Sequence, residues 1–184
     1  MSKIIFISGA CGSGKSTFSE LYARRIVNET GKAVYLIHGD DLHRGFIEPE
    51  DKDSFFRDGQ ASDTVHWEDI LRFNWDCILS IAERALSDGL DVVIDYVIEN
   101  ELPRVKALAE RSGAELYYIV LTAEEAELER RILRRGDTDM TERALFLKKE
   151  LDSAPFNKGH ILDNTGKSPE QTALEISIED YRVI

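Results

Sequence analysis

The chain has 184 residues, 42% of them hydrophobic and 32% charged, with a net charge of −12; one domain over 1–184 is expected, large enough to need no disulfide staple. The acidic balance and the lack of any lysine- or arginine-rich run exclude long nucleic acid as an expected partner, and two cysteines, Cys11 and Cys77, provide neither a disulfide framework nor a metal motif. The apolar N-terminal stretch is too short to span a membrane, and no cleavage pattern follows it, so a cytoplasmic protein without membrane contact is expected.

The first apolar run, KIIFIS (3–8), predicts a strand and leads directly into GACGSGKS (9–16). These residues fit G-x-x-x-x-G-K-[ST] at Gly9, Gly14, Lys15 and Ser16, between a predicted strand and a predicted helix, the setting that the motif requires. Glycines, Gly12 included, let the backbone curl until the N–H groups of this loop, through Ser13 and on to Thr17, converge on phosphate oxygens. The helix N-terminus adds partial positive charge. Lys15 is expected to neutralise β- and γ-phosphate oxygens, and the Ser16 hydroxyl to complete a Mg2+ shell. ATP is the expected nucleotide, because FNKGH (156–160) lacks the aspartate of a guanine-reading NKxD.

Phe18, Leu21, Tyr22, Arg25 and Ile26 then repeat at helical spacing, with Arg25 able to snorkel. AVYLIH (33–38) predicts the second strand, and HGDDLHR (38–44) follows it. Ligands of open α/β sheets sit beyond the carboxyl ends of the strands, so Asp40 and Asp41 are placed to orient or deprotonate an acceptor hydroxyl. His43 and Arg44 are placed to hold a polar substrate. On an extended segment Asp40 and Asp41 point opposite ways, and Asp40 is the expected base. The segment of about 45–75 is expected to cover the acceptor.

A helical stripe follows over 63–88, through Leu71, Trp75, Ile78, Leu79, Ala82 and Leu86, and Gly89 stops it; Trp67 and Trp75 are read as core. DVVIDYVI (91–98) is the third strand, and its Asp95, a carboxylate in an apolar run, points to Mg2+ or a water on it as partner. Asn100 is the expected N-cap of a helix ending near Gly113. ELYYIVLT (115–122) is the fourth strand, with Thr122 and Glu125 as a capping box for the next helix. That helix closes on Arg130, Arg131, Arg134 and Arg135 before a polar loop. The segment of about 130–142 is read as a lid, with Arg131 and Arg135 on one face reaching the transferring phosphoryl group. GHILD (159–163) is a short fifth strand. In DNTGKSPEQ (163–171), Thr165 and Gly166 are expected at an adenine edge, and Ser168 and Gln171 form a capping box with Pro169 at the first helical position. His38, His66 and His160 are read as structural or surface residues. The strands are nearly continuously apolar and alternate with helices, which predicts a parallel sheet of about five strands covered on both faces.

Together, GACGSGKS, GDDLH (39–43), ELERRILRRG (127–136) and DNTGKSPEQT (163–172) resemble, in short pieces across nearly the whole chain, the small P-loop kinases with a nucleoside-monophosphate-kinase-like fold. The resemblance is to the branch holding gluconate kinases, antibiotic phosphotransferases and polynucleotide 5′-kinases. It implies a three-layer α/β fold with strand order 2-3-1-4-5 and a small lid, a catalytic aspartate at Asp40, and lid arginines at Arg131 and Arg135. The activity implied is transfer of the γ-phosphoryl of ATP, with Mg2+, to a hydroxyl of a small molecule such as a sugar acid or antibiotic, by a monomer or homodimer. A nucleoside, nucleotide or nucleic-acid 5′-end kinase is the alternative within the class, and a non-catalytic ATP-binding regulator the alternative outside it. RGFIEPEDKDSFF (44–56) stands where gluconate kinases carry a proline and a PW segment, and His43 where polynucleotide kinases carry an arginine, so the resemblance leaves the acceptor open.

Overall fold

Five strands, β1 (Lys3–Gly9), β2 (Val34–His38), β3 (Asp91–Asp95), β4 (Glu115–Thr122) and β5 (Ile161–Asp163), form one parallel sheet in the order β2-β3-β1-β4-β5. The computed structural model describes residues 2–46 and 65–184, apart from the His43 side chain. The helices are α1 (Lys15–Thr30), α2 (Gly39–His43), α3 (Trp67–Ser87), α4 (Leu102–Ser112), α5 (Glu125–Arg135), α6 (Thr141–Ser153) and α7 (Pro169–Glu175). Most of the segment expected to cover the acceptor, 47–64, lies outside the described residues.

The strands alternate between two cores. Ile4, Phe6, Val92, Ile94, Leu116 and Tyr118 face a cluster completed by Trp75, Ile78 and Ala82 of α3, Val105 and Leu108 of α4, and Leu151 of α6. Ile5, Ile7, Val93, Tyr117, Ile119 and Leu121 face the other cluster, with Phe18 and Tyr22 of α1 and Ala173 of α7. A strand covered on both sides has no solvent face, and this is why these runs carry no polar alternation. Arg25 snorkels as expected: its Nη1 donates to the Ala173 carbonyl at 2.8 Å, tying α1 to α7. Beyond the short β5, the C-terminal residues cover the exposed edge of β4, with Val183 N donating to Leu116 O at 2.8 Å.

Several local expectations change. β3 ends at Asp95 and not at Ile98, because the Ile98 N–H turns to the Ser8 hydroxyl at 3.0 Å in place of a ladder carbonyl. The cap of α4 is Glu101, whose carboxylate accepts from the backbone N–H groups of Glu99 and Asn100. Thr122 does not cap α5; its hydroxyl meets Lys148 and Asp152, and Glu124 holds the cap position. The Ser168–Gln171 capping box forms as predicted. HGDDLHR is not extended after His38: Gly39–His43 coil into α2.

Gly39 allows that coil to sit where it does. A Cβ on it would fall within 3.0 Å of the Tyr96 Cβ, Cγ and Cδ2 atoms, the rigid root of a side chain that is itself buried. Gly39→Ala is expected to cost about 1–3 kcal/mol by overpacking, measurable as a fall in the urea midpoint at constant m-value.

Candidate active site

The chain leaves β1 through a turn closed by Ser13 N on the Ala10 carbonyl. Gly9 (φ 145°) has no room for a side chain, since a Cβ would strike the Leu121 carbonyl and the Ser13 Oγ. At Gly12 (φ 79°) a Cβ would lie 3.0 Å from Ile132 Cγ1 and 3.2 Å from the Leu128 carbonyl. The loop therefore threads between β4 and α5 as bare backbone. Behind Gly14, α1 begins with no side-chain cap and no acidic residue in its first turn. Its first N–H groups and the positive end of its dipole are left for an anion. Lys15 is 8% exposed and makes no ion pair with a described residue, while Ser16 and Thr17 are exposed.

On one side of the loop lies a cleft of about 580 Å³ between α5 and the turn after β5, lined by Thr17, Arg135, Asn164 and Gly166 among others. Arg131 borders it but is already engaged. Its guanidinium donates to Glu127 at 2.8 Å, to the Asn164 Oδ1 at 2.9 Å and to the Asn164 carbonyl at 3.1 Å, with the Ser13 carbonyl at 3.3 Å. Hydrogen bonds from Arg130, and then from Arg131, pull the Glu127 carboxyl down to about 2. Asn164, which is 4% exposed, also donates to the Ser13 carbonyl at 2.8 Å. Arg131 thus braces the phosphate loop from behind, whereas Arg135 stands exposed at the cleft without a partner among the described residues. Thr165 does not line the cleft: its hydroxyl donates to Asp163 at 2.6 Å and accepts from Glu124 N at 2.8 Å. Gly166 does line it. Asn164 escaped the sequence reading because a single asparagine beside a glycine reads as a turn.

On the other side lies a cavity of about 380 Å³ whose walls include Lys15, Asp40 and Arg44. Asp41 is outside it and pairs with Arg44 at 2.7 Å on the surface. On a helical turn the two carboxylates diverge by about 100° and not by the 180° of a strand, yet only Asp40 faces the cavity. Tyr96 and Arg143 are also in the wall. The sequence reading passed over both, the first as a strand residue and the second because α6 was not predicted. Trp75 is core as expected, stacked on Phe6 at 5.5 Å, but it also lines the cavity, as does Trp67.

Asp95 sits at the end of β3 opposite His38 of β2, and its Oδ2 lies 3.0 Å from His38 Nδ1. This bond raises His38 above the ordinary imidazole range, against a smaller opposing effect of burial. The second oxygen, Oδ1, is buried without a hydrogen-bond partner among the described residues, in a residue only 4% exposed. Mg2+ prefers a few oxygen ligands with the rest of its shell from water and phosphate. A buried, unsatisfied carboxylate oxygen and the open hydroxyl of Ser16 fit that preference.

A family model described as AAA domain matches residues 5–154. Among solved structures, the APS kinase of Mycobacterium tuberculosis, in complex with AMPPNP and APS, is 18% identical and has a TM-score of 0.62, with 95% of this chain and 94% of that chain covered. A sugar kinase from Janibacter sp. is 15% identical at TM-score 0.63, covering 98% and 96%. A gluconokinase from Sinorhizobium meliloti is 21% identical at TM-score 0.51, covering 94% and 89%. No curated protein matches the sequence. At these identities the solved structures share the fold with this chain.

Two outcomes follow from the site's polar contacts. Asn164→Ala leaves Arg131 and the Ser13 carbonyl short of partners and is expected to cost about 1–3 kcal/mol in chemical denaturation, with weaker nucleotide binding by calorimetry. In an NMR titration of the free protein, His38 is expected to stay protonated to higher pH than an ordinary imidazole, while burial keeps His160 below that range. Asp95→Asn should abolish the upward shift. The stabilisation from the His38–Asp95 pair is complete below the ordinary imidazole value near 6.5 and is lost as pH rises through the raised value of His38.

Proposed function

The chain belongs to the AAA-domain family, matched over residues 5–154, and carries the P-loop kinase fold; from that premise we propose that it is an ATP-dependent phosphotransferase acting on a hydroxyl of a small molecule. One observation carries the reading. Buried Lys15, from the phosphate loop, forms part of the wall of the same cavity as Asp40, so a group held on the loop has a carboxylate and an enclosed space beside it. A protein that only binds nucleotide needs the loop but not that cavity.

In the proposed reaction ATP lies on residues 9–17 with its base toward the Asn164–Gly166 turn. The acceptor oxygen bonds to the γ-phosphorus as the bond from that phosphorus to the β–γ bridging oxygen breaks, and ADP leaves. Asp40 orients the acceptor hydroxyl and takes its proton late, as expected for a loose transition state. Lys15 and Arg135 stabilise charge on the phosphoryl oxygens, and Arg131, pinned by Asn164 and Glu127, keeps the loop in shape. When bound, Mg2+ would be held by Ser16 and, directly or through water, by Asp95, and it would neutralise phosphate charge. His38 holds the Asp95 carboxylate in place. The net charge of −12 supports a small acceptor over long nucleic acid, and no described helix is long and apolar enough to cross a membrane.

Lys15→Ala is expected to lower ATP turnover by at least about 10² with the fold intact. Asp40→Asn should lower transfer by about 10²–10⁴, with nucleotide affinity changed less than about tenfold, and Asp41→Asn should be milder. The measurement is a panel of hydroxyl compounds read by phosphorus NMR. If no compound accelerates the slow hydrolysis of ATP, the regulator reading prevails.

A further inference from the structure

We propose that the cavity beside Lys15 accepts a hydroxyl compound with a flat apolar body and an oxyanion group, and not a linear polyol acid. Only the fate of the hydroxyl rests on the kinase reading above; the shape and charge of the ligand rest on the walls.

One wall is a face of α3, where Trp67, Leu71 and Trp75 recur every four residues. Met140, just before α6, and Leu147, midway along it, also line the cavity. Trp75 is fixed: it is stacked on Phe6 and meets Tyr96 edge-on at 5.5 Å and 63°. Tyr96 is held in turn by the buried Asn74, whose Nδ2 lies 3.2 Å from the phenol oxygen. Such walls suit a flat apolar body. A polyol needs a donor or acceptor for nearly every hydroxyl it buries, and few are on offer. Glu101 is spent on the Glu99 and Asn100 N–H groups, Arg44 on Asp41, Lys15 and Asp40 belong to the transfer, and the Glu99 carboxylate, also in the wall, can accept hydrogen bonds but not donate them.

Arg143 remains. Its guanidinium lies over the Trp67 ring at 5.7 Å, and it makes no ion pair among the described residues. A guanidinium stacked on an indole is held in orientation, and its N–H groups form a planar fork that matches a carboxylate, sulfate or phosphate. The volume of about 380 Å³ is within the range of small-molecule sites.

Both tryptophans of the chain line this cavity, so intrinsic fluorescence reports its occupant without any turnover. The probes are 4-(hydroxymethyl)benzoate, its neutral isostere 4-(hydroxymethyl)benzamide, and gluconate. Each is titrated with Mg2+ and saturating AMPPNP present to keep carboxylates off the phosphate loop. The benzoate is expected to shift the fluorescence with an affinity at least about tenfold higher than the benzamide. Arg143→Gln should erase the difference and Arg143→Lys should retain part of it, while gluconate neither shifts the signal nor competes. Equal binding of the two aromatic probes to the wild type, binding of neither, or displacement of the benzoate by gluconate at equal or lower concentration would overturn the proposal. Transfer from ATP is read separately by phosphorus NMR. Binding in the predicted order leaves this inference standing even where the full panel of hydroxyl compounds shows no transfer and the kinase reading falls; transfer to gluconate with no aromatic binding overturns this inference and leaves the kinase reading standing.

Discussion

A buried lysine ammonium that makes no ion pair favours an anion bound beside it. Among the described residues Lys15 is buried and makes no ion pair, and the rest of the molecule is arranged around it. The phosphate loop has to bring it there as nearly bare backbone, because β4 leaves no room at Gly9 for a methyl group and α5 leaves only a tight fit at Gly12. Helix α1 has to begin at Lys15 uncapped, so that its N–H groups and dipole act on the same anion. The sheet order sets β1 between β3 and β4, which puts Asp95 and the α5 arginines on opposite flanks of that anion site.

The two sides of the loop differ in character. The cleft under α5 is polar and heavily braced: Asn164, Arg131 and Glu127 form a chain of charge-assisted bonds that ends on the loop's own carbonyls. Those bonds hold still the atoms that must meet a nucleotide, and preorganised donors act without reorganising at the moment of reaction. The cavity on the other side is walled by tryptophan, leucine and methionine, with a few charges set among them. A shared nucleotide loop with a separately built acceptor wall is how one fold serves different chemistries, and for that reason likeness of fold leaves the acceptor undefined.

The β2–β3 pairing explains a feature that neither strand shows alone. Register sets His38 opposite Asp95, and the imidazole takes one carboxylate oxygen while the other stays buried and unsatisfied among the described residues. Gly39, directly after His38, turns the chain over Tyr96 and sends Asp40 into the cavity. Two consecutive strand ends thus supply the carboxylate flanking the phosphate loop and the one facing the cavity beside Lys15.

The sequence by itself determined the layout. A glycine-rich loop between an apolar strand and a helix, and strands apolar on every position, are local and periodic signals, and they were enough for the parallel sheet, for the phosphate loop, and for Asp40 at the end of β2, whereas the strand order came from the resemblance to the small P-loop kinases. Helix α6 was legible in principle from Ala144, Leu147 and Leu151, but its apolar face is narrow and it was passed over, and Arg143 with it. Other features were decided only by the tertiary structure: the partner of Asp95, the engagement of Arg131 by Asn164, the loss of Thr165 to its own turn, and the meeting of α3 and α6 around the cavity beside Lys15. Each depends on groups from elements far apart in the chain, such as residues 13, 131 and 164 or 38 and 95. Propensity and spacing act over one or two turns of chain, whereas a hydrogen bond between distant segments exists only once the packing of the sheet and its helices has brought its two ends within about 3 Å.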